Sequence, residues 1–346
     1  MSLLTAVAAP AFAFRPSYRH LARLSTVVGL FEHALHDVPR PEHGYCADDV
    51  ARALVVVVRE PDQTPELAAL TEVYLRFLEA AVGADGRVRN RRDAEGRFTD
   101  EPTLDDCWGR TVGALGFTAA HADIPFHRTR ATFAFLRAAN RRSTDVRASA
   151  FAVLGAAEFV RHRPDADAAR RLITASLDVI PTAASAEWDW PEPRLRYANA
   201  TICEALIVGG AAVARPDLVE RGLAMLDGLL RLETGRSGDL SPTGSHGRSP
   251  GESGPLWDQQ PIEVAAIADA CAAAFAVSHD ARWRDGVRRA WRWFLGANDV
   301  GIPMYDPQTG AGYDGLEPTG RNGNRGAEST LAALGTLQRA RALGVA

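Results

Sequence analysis

The stretch Leu104-Asp105-Asp106-Cys107-Trp108-Gly109-Arg110 opens an apolar run of small residues from Thr111 to Thr118. Two adjacent carboxylates stand at a helix start, an arginine follows one turn later, and the residues behind them are too apolar for a surface. A looser copy lies upstream, Cys46-Ala47-Asp48-Asp49-Val50-Ala51-Arg52-Ala53-Leu54. Aligning the two arginines sets Asp48 on Asp106, each four residues ahead of its Arg. Four more small-residue runs with polar openings follow, Ser143 to Val160, Ala198 to Val213, Ile262 to Val277 and Ala327 to Leu343. A helix that is apolar nearly all round is buried on all sides, so six polar-headed runs predict six buried helices.

Amphipathic segments alternate with these runs: Leu21 to Leu35, a helix capped by Thr64 with Pro65 at its first position, Phe126 to Ala139, Asp165 to Ile180, Pro216 to Glu233, and Ala281 to Leu295. The spacing of their apolar residues is helical, and strand signals are nearly absent. The reading is twelve helices in six pairs, with an amphipathic, Arg-bearing helix preceding each buried one. Six buried helices alternating with six half-exposed ones fit an all-α (α/α)6 toroid, an inner barrel inside an outer barrel. It forms one domain over residues 18–346, with residues 1–17 as an N-terminal segment packing on the body. An open solenoid of helix pairs is the competitor. The long loops and carboxylates all precede inner helices. In a ring those ends converge on one pocket, whereas in a solenoid they spread along an edge, so the ring is preferred.

Composition narrows the chemistry. The chain has 346 residues, 46% hydrophobic and 24% charged, as an ordinary globular protein does. A net charge of −4 gives no reason to expect nucleic acid or an anionic membrane as partner. No apolar run approaches the roughly 20 residues that span a bilayer. All 39 basic residues are Arg, which excludes a Schiff-base lysine, a Walker-type phosphate lysine and a pyridoxal attachment. Cys46, Cys107, Cys203 and Cys271 lack CxxC spacing and lie in or beside inner helices, where thiols pack as small apolar groups; no metal and no cofactor are expected. The apolar segment Met1 to Phe14 lacks the positive start of a signal peptide, and the location expected is cytoplasmic.

The residues ahead of the inner helices form the candidate site. The first end brings His43, Tyr45, Asp48, Asp49 and Arg52; the second, Asp106 and Arg110; the fourth, Trp188, Asp189 and Asn199. The fifth brings Asp258, Gln259, Gln260 and Glu263, and the sixth Tyr313, Asp314, Asn322, Asn324 and Glu328. Carboxylates and amides suit sugar hydroxyls, while Trp and Tyr suit the apolar faces of a sugar ring. Asp48, Asp49 and Asp106 are the candidate catalytic carboxylates, with Asp258 next, and the others are candidate substrate contacts. Each has a plainer reading. Asp48 and Asp105 fit helix caps, and Asp48–Arg52 and Asp106–Arg110 fit i,i+4 ion pairs. Glu263 is harder to dismiss, because a carboxylate inside an apolar run is costly unless paired; Glu204 and Glu328 raise the same question.

Four motifs, His43 to Ala53, Asp105-Asp106 to Gly109-Arg110, Asp258 to Glu263 and Asn322 to Ser329, resemble the six-hairpin glycosidase-like (α/α)6 domains. They look closest to the bacterial group often associated with or fused to glycosyltransferases. The resemblance implies the (α/α)6 toroid from about Tyr18 onward and an oligosaccharide or glycoside as ligand. Such domains include hydrolases, lyases, phosphorylases and epimerases, so it implies no single reaction. The favoured expectation is a glycoside hydrolase with two carboxyl groups across the pocket. The alternatives are a sugar 2-epimerase or isomerase, for which only His43 and His246 stand in pocket-end loops, and a non-catalytic glycan-binding domain.

Overall fold

The computed structural model describes residues 15–183, 185 and 188–346. Of the expected N-terminal segment, residues 1–14 lie outside the described residues. Six inner helices are α2 (Ala47–Arg59), α4 (Asp106–His121), α6 (Val146–His162), α8 (Asn199–Ala212), α10 (Pro261–Ser278) and α12 (Ala327–Ala342). The outer layer is α1 (Arg19–Leu24), α3 (Pro65–Ala81), α5 (Pro125–Ala138), α7 (Asp167–Leu177), α9 (Pro216–Leu232) and α11 (Ala281–Phe294). Each inner helix packs on the next, and α12 packs back on α2. That contact closes the ring and excludes the solenoid: the fold is the (α/α)6 toroid.

The β structure is confined to two-residue antiparallel ladders in the loops: β1 (Ala34–Leu35) with β2 (Val38–Pro39), β3 (Tyr45–Cys46) with β4 (Arg91–Arg92), β5 (Tyr305–Asp306) with β6 (Ala311–Gly312), and β7 (Leu316–Glu317) with β8 (Gly320–Arg321). They brace the long loops that lead from outer to inner helices. Thr64 caps α3 as its position ahead of Pro65 predicts, its hydroxyl accepting from the Leu67 N–H at 3.2 Å. Trp283, Trp291 and Trp293 of α11 are all buried and serve packing.

Two expectations are corrected. The helix expected over Leu21 to Leu35 stops at Leu24. Ser25 donates its hydroxyl to the Leu21 carbonyl, and the Thr26 hydroxyl accepts from the N–H groups of Val28 and Gly29. Such local side-chain bonds offer the backbone an alternative to the helix, and the chain turns there instead. The pairing is also reversed. Each inner helix from α2 to α10 packs mainly on the outer helix that follows it through a short turn, and only α1 precedes its partner-in-sequence as a short outer element resting on α12. The long connections therefore all lie at the N-terminal ends of inner helices.

α10 is long and apolar enough to cross a membrane by composition, yet half of it is buried, and it packs in the ring between α8 and α12. The tightest seam joins α4 to α6. A Cβ on Gly155 would lie 2.2 Å from the Gly113 carbonyl oxygen, and one on Gly109 would lie 2.2 Å from that of Ala148. Backbone cannot yield as a flexible side chain does, so Gly155→Val should cost about 1–3 kcal/mol by overpacking, read as a lower urea midpoint with an unchanged slope.

Candidate active site

The starts of α2 and α12 and the loops ahead of them enclose a basin of about 300 Å³, lined by Glu32, His33, Asp48, Asp49, Arg52, Gln260, Asp314 and Glu328 among others. Arg52 organises it. Its guanidinium pairs with Asp49 at 2.5 Å and with Glu328 at 2.8 Å, tying the first inner helix to the last. Asp49 is 2% exposed, and its second oxygen accepts from the Cys46 thiol. Burial lifts its carboxyl to about 6 against the pull of Arg52. Each of its oxygens takes a hydrogen bond, from Arg52 and from Cys46, so Asp49 lines the basin and also holds Arg52 in place. Asp48 is more open: Asn90 donates its amide to one oxygen at 2.9 Å, and Arg110 stands 3.5 Å from the other.

Asp106 sits at the second helix start, where the Tyr197 hydroxyl donates to it; burial raises its pKa, with Arg110 and this hydrogen bond opposing. The i,i+4 pairs suggested by spacing do not form as drawn. Arg52 turns to Asp49 and Glu328, and Arg110 approaches Asp48 while lying 3.8 Å over the Phe151 ring. Asp258 is not among the residues that line the basin, but Gln260, which is, donates to it at 2.9 Å; its other oxygen is buried without a hydrogen bond. Burial, then Glu317 and Asp314, push its carboxyl up to about 6. Asp314 accepts from the Gly326 N–H at 2.6 Å and the Ser329 hydroxyl at 2.5 Å, which orients it toward the start of α12.

Behind the Arg52–Glu328 pair an axial cavity of about 190 Å³ runs inside the inner barrel. Its walls are largely apolar, with Phe117 and Phe151 on one side, and Arg59, Glu204, Asp269 and Arg339 line its far part.

Several residues expected in the pocket serve the framework instead. Tyr45 is 2% exposed, stacked on Phe31 and bonded to Thr26. Trp188 and Asp189 lie on the outside, beside Met225 and Leu229 of α9, because the loop after α7 folds outward; their neighbour Glu187 lies outside the described residues. Gln259 is fully buried and donates to Asp299 at 2.7 Å. Asn322 and Asn324 accept backbone N–H bonds that shape the loop ahead of α12, from Asn324 and His36 respectively. Tyr313 is 8% exposed and covered by the guanidinium of Arg321. His43 is outside the basin, its ring 4.9 Å edge-on from that of His33.

Glu263 and Asn199 form a clamp. Glu263 accepts from the N–H groups of Ala198 and Asn199, at 2.5 and 3.2 Å, and from the Asn199 amide at 3.1 Å. Asn199 in turn accepts from Arg147, which holds Glu192 at 2.5 Å and the Tyr197 carbonyl at 2.5 Å. This buried chain fixes the left-handed turn at Ala198 (φ 46°) and so aims Tyr197 at Asp106. Glu263→Ala strips partners from two N–H groups at the buried start of α8. It should cost about 2–4 kcal/mol, measured by denaturant unfolding, while Glu263→Gln should cost less.

Sequence reasoning misses Glu32, His33 and Asn90. The first two fall in the segment read as helix, and Asn90 lies in an irregular loop whose fold no local pattern reveals. Asp269 had a signal, since it is a lone carboxylate inside the apolar run of α10.

No protein-family model matches the sequence, and no curated protein matches it. Solved structures do match. Cellobiose 2-epimerase from Bacillus thermoamylovorans aligns at a TM-score of 0.70 and 10% identity, covering 94% of this chain and 96% of its own. This is the six-hairpin glycosidase-like fold. A D-mannose isomerase aligns at 0.67 and 10% identity over 96% of this chain and 99% of its own. A cellulase from C. cellulolyticum in complex with cellobiose aligns at 0.60 and 9%, over 91% and 87%. At such identities the likeness establishes the fold alone.

Proposed function

We propose that this protein is a carbohydrate-active enzyme that binds a sugar in the basin at the N-terminal ends of its inner helices and works by acid–base catalysis. The observation that carries the reading is the convergence of Asp48, Asp314 and Glu328 with Arg52 and His33 on one basin. Within that class the favoured reaction is epimerisation or isomerisation of a reducing sugar. The epimerase and the isomerase align with this chain at higher TM-scores than the cellulase does. The basin also supplies an imidazole, which suits proton removal from the carbon beside a carbonyl near neutral pH. His33, with the Glu32 carboxylate 3.7 Å from its Nε2, is the base in this scheme. It takes the C2 proton of the open-chain sugar, and Arg52 stabilises the oxygen of the resulting enediolate. Return of the proton to the opposite face of C2, once the enediolate has turned that face to His33, gives the epimer; its return to C1, with the O2 proton passing to O1, gives the ketose.

Hydrolysis, the reaction the sequence favours, remains the second reading. It rests on Asp258, whose raised pKa suits a general acid, and on Asp48 in the basin as base.

Product analysis separates the two. The protein is incubated with glucose, mannose, cellobiose and manno-, gluco- and galacto-oligosaccharides, beside His33→Ala and Asp258→Asn. Unchanged length with an altered reducing end, lost about 10²–10⁴-fold in His33→Ala, is the expected outcome. Shorter products would move the assignment to hydrolysis, and sugars left intact throughout would overturn the enzyme reading.

The hydrolytic scheme also carries a pH signature. Asp258 is protonated in the fold up to about pH 6, above the ordinary aspartate value near 3.9. If it is the acid, kcat falls as pH rises through about 6, and Asp258→Asn abolishes that limb along with most of the rate.

A further inference from the structure

The far part of the axial cavity contains ionisable groups that the chemistry at the mouth does not use. Glu204, in the middle of the apolar helix α8, is 7% exposed and lines the cavity. Among the described residues no hydrogen bond reaches its carboxyl, although Asp269, Arg339, Arg59 and Glu158 all act on it electrostatically. On the neighbouring helix α10, Asp269 takes Arg339 at 2.5 Å and Arg59 at 3.2 Å. Asp269 and Arg339 keep 30% and 29% of their side-chain surface accessible even though they lie within the ring of inner helices, because they face the cavity. Arg59 has a buried Nε without a partner. A carboxyl that faces a cavity without a hydrogen bond is costly for folding alone.

The states of the two carboxyls differ. Burial, with the Asp269 carboxylate on the neighbouring helix, pushes Glu204 up, against the pull of Arg339 and Arg59. Burial opposes ionisation of Asp269 too, but there Arg59 and Arg339 outweigh it and hold its carboxyl below the ordinary range. The cavity floor thus offers a neutral acid that donates and accepts, the Asp269 carboxylate that accepts and two guanidinium groups that donate, beside the Glu158 carboxylate, which His121 and Arg161 already hold. A cluster of hydroxyls matches that set, and the Phe117 and Phe151 rings in the cavity wall, each with an arginine near one face, add apolar surface for the C–H face of a sugar ring. Arg52 at the mouth and Arg59 at the floor are seven residues apart on α2, roughly 10 Å of helical rise.

We propose that Glu204, Asp269, Arg59 and Arg339 form a binding subsite for the hydroxyl groups of one sugar ring that enters the axial cavity past the Arg52–Glu328 pair. The inference rests on the carbohydrate reading above and deepens it: one terminal ring is recognised inside the barrel while the reacting atoms stay at the mouth.

The test is calorimetric and saturation-transfer NMR binding of D-glucose, D-mannose, D-galactose and cellobiose. Wild type is compared with Glu204→Leu, Glu204→Gln and Ala265→Phe, the last a cavity-lining residue enlarged to fill the space. Glu204→Leu and Ala265→Phe should weaken binding about tenfold or more. Melting temperature should hold or rise in Glu204→Leu, since a buried unpaired carboxyl is replaced by an apolar group. Glu204→Gln, which keeps donor and acceptor, should bind as wild type. If sugars are turned over while all three variants bind them normally, the subsite is wrong and the enzyme reading stands. Binding that depends on Glu204 without any turnover keeps the subsite and removes the enzyme reading. Failure of all four sugars to bind wild type overturns the subsite.

Discussion

The ring depends on its first inner helix meeting its last, and at the mouth Arg52 and Glu328 join them at 2.8 Å. A set of twelve alternating helices can close or spiral open, and which it does is decided where its ends meet. Here the junction is secured at several heights. Gln338 of α12 donates to the Val56 carbonyl of α2 at 2.8 Å, and the Tyr18 hydroxyl and Arg341 both reach Glu60 beyond the end of α2. Closure sets all six inner helices side by side with their N-termini at one end. The positive ends of their dipoles then favour anionic side chains there, and carboxylates are what the sequence places at those starts.

Inner-helix positions were legible because their signal is local: small apolar residues all round, with a polar opening, have only one place to go. The fold class followed from counting those runs. Side-chain targets were less legible, because they depend on loops. Asp48 and Glu328 reach the basin from helix starts, and the sequence located them. Trp188 and Asp189 depend on a loop whose direction no periodicity encodes, and it carries them outward. The break after Leu24 came from the Ser25 and Thr26 hydroxyls competing for the backbone, an effect weaker than the apolar stripe that suggested a continuing helix. That break is what brings Glu32 and His33 to the mouth.

Residues with similar sequence settings end in different roles. Glu204, Glu263 and Asp269 each interrupt an apolar run; Glu204 and Glu263 are buried in the ring, and Asp269 is half-buried against the cavity. Glu263 spends both oxygens on the start of α8 and is framework. Asp269 is matched by two arginines, and Glu204 by no hydrogen bond. A carboxylate in an apolar run is thus a reliable sign of something built around it, while its partners decide whether that something is a joint or an opening.

The absence of lysine from the chain also has a consequence inside the barrel. Every cation lining the axial cavity is a guanidinium, which keeps its proton at any pH a folded protein tolerates. Arg52, Arg59, Arg110 and Arg339 are therefore a permanent positive scaffold, and no imidazole lines that cavity among the described residues. Only the carboxyls can change charge, so the interior becomes more negative in steps as they ionise, and it cannot be discharged from the positive side. An ammonium in the same place would release its proton when desolvated and let the cavity go neutral. Built from arginine alone, the barrel holds its positive charge fixed and leaves its acids as the variable part.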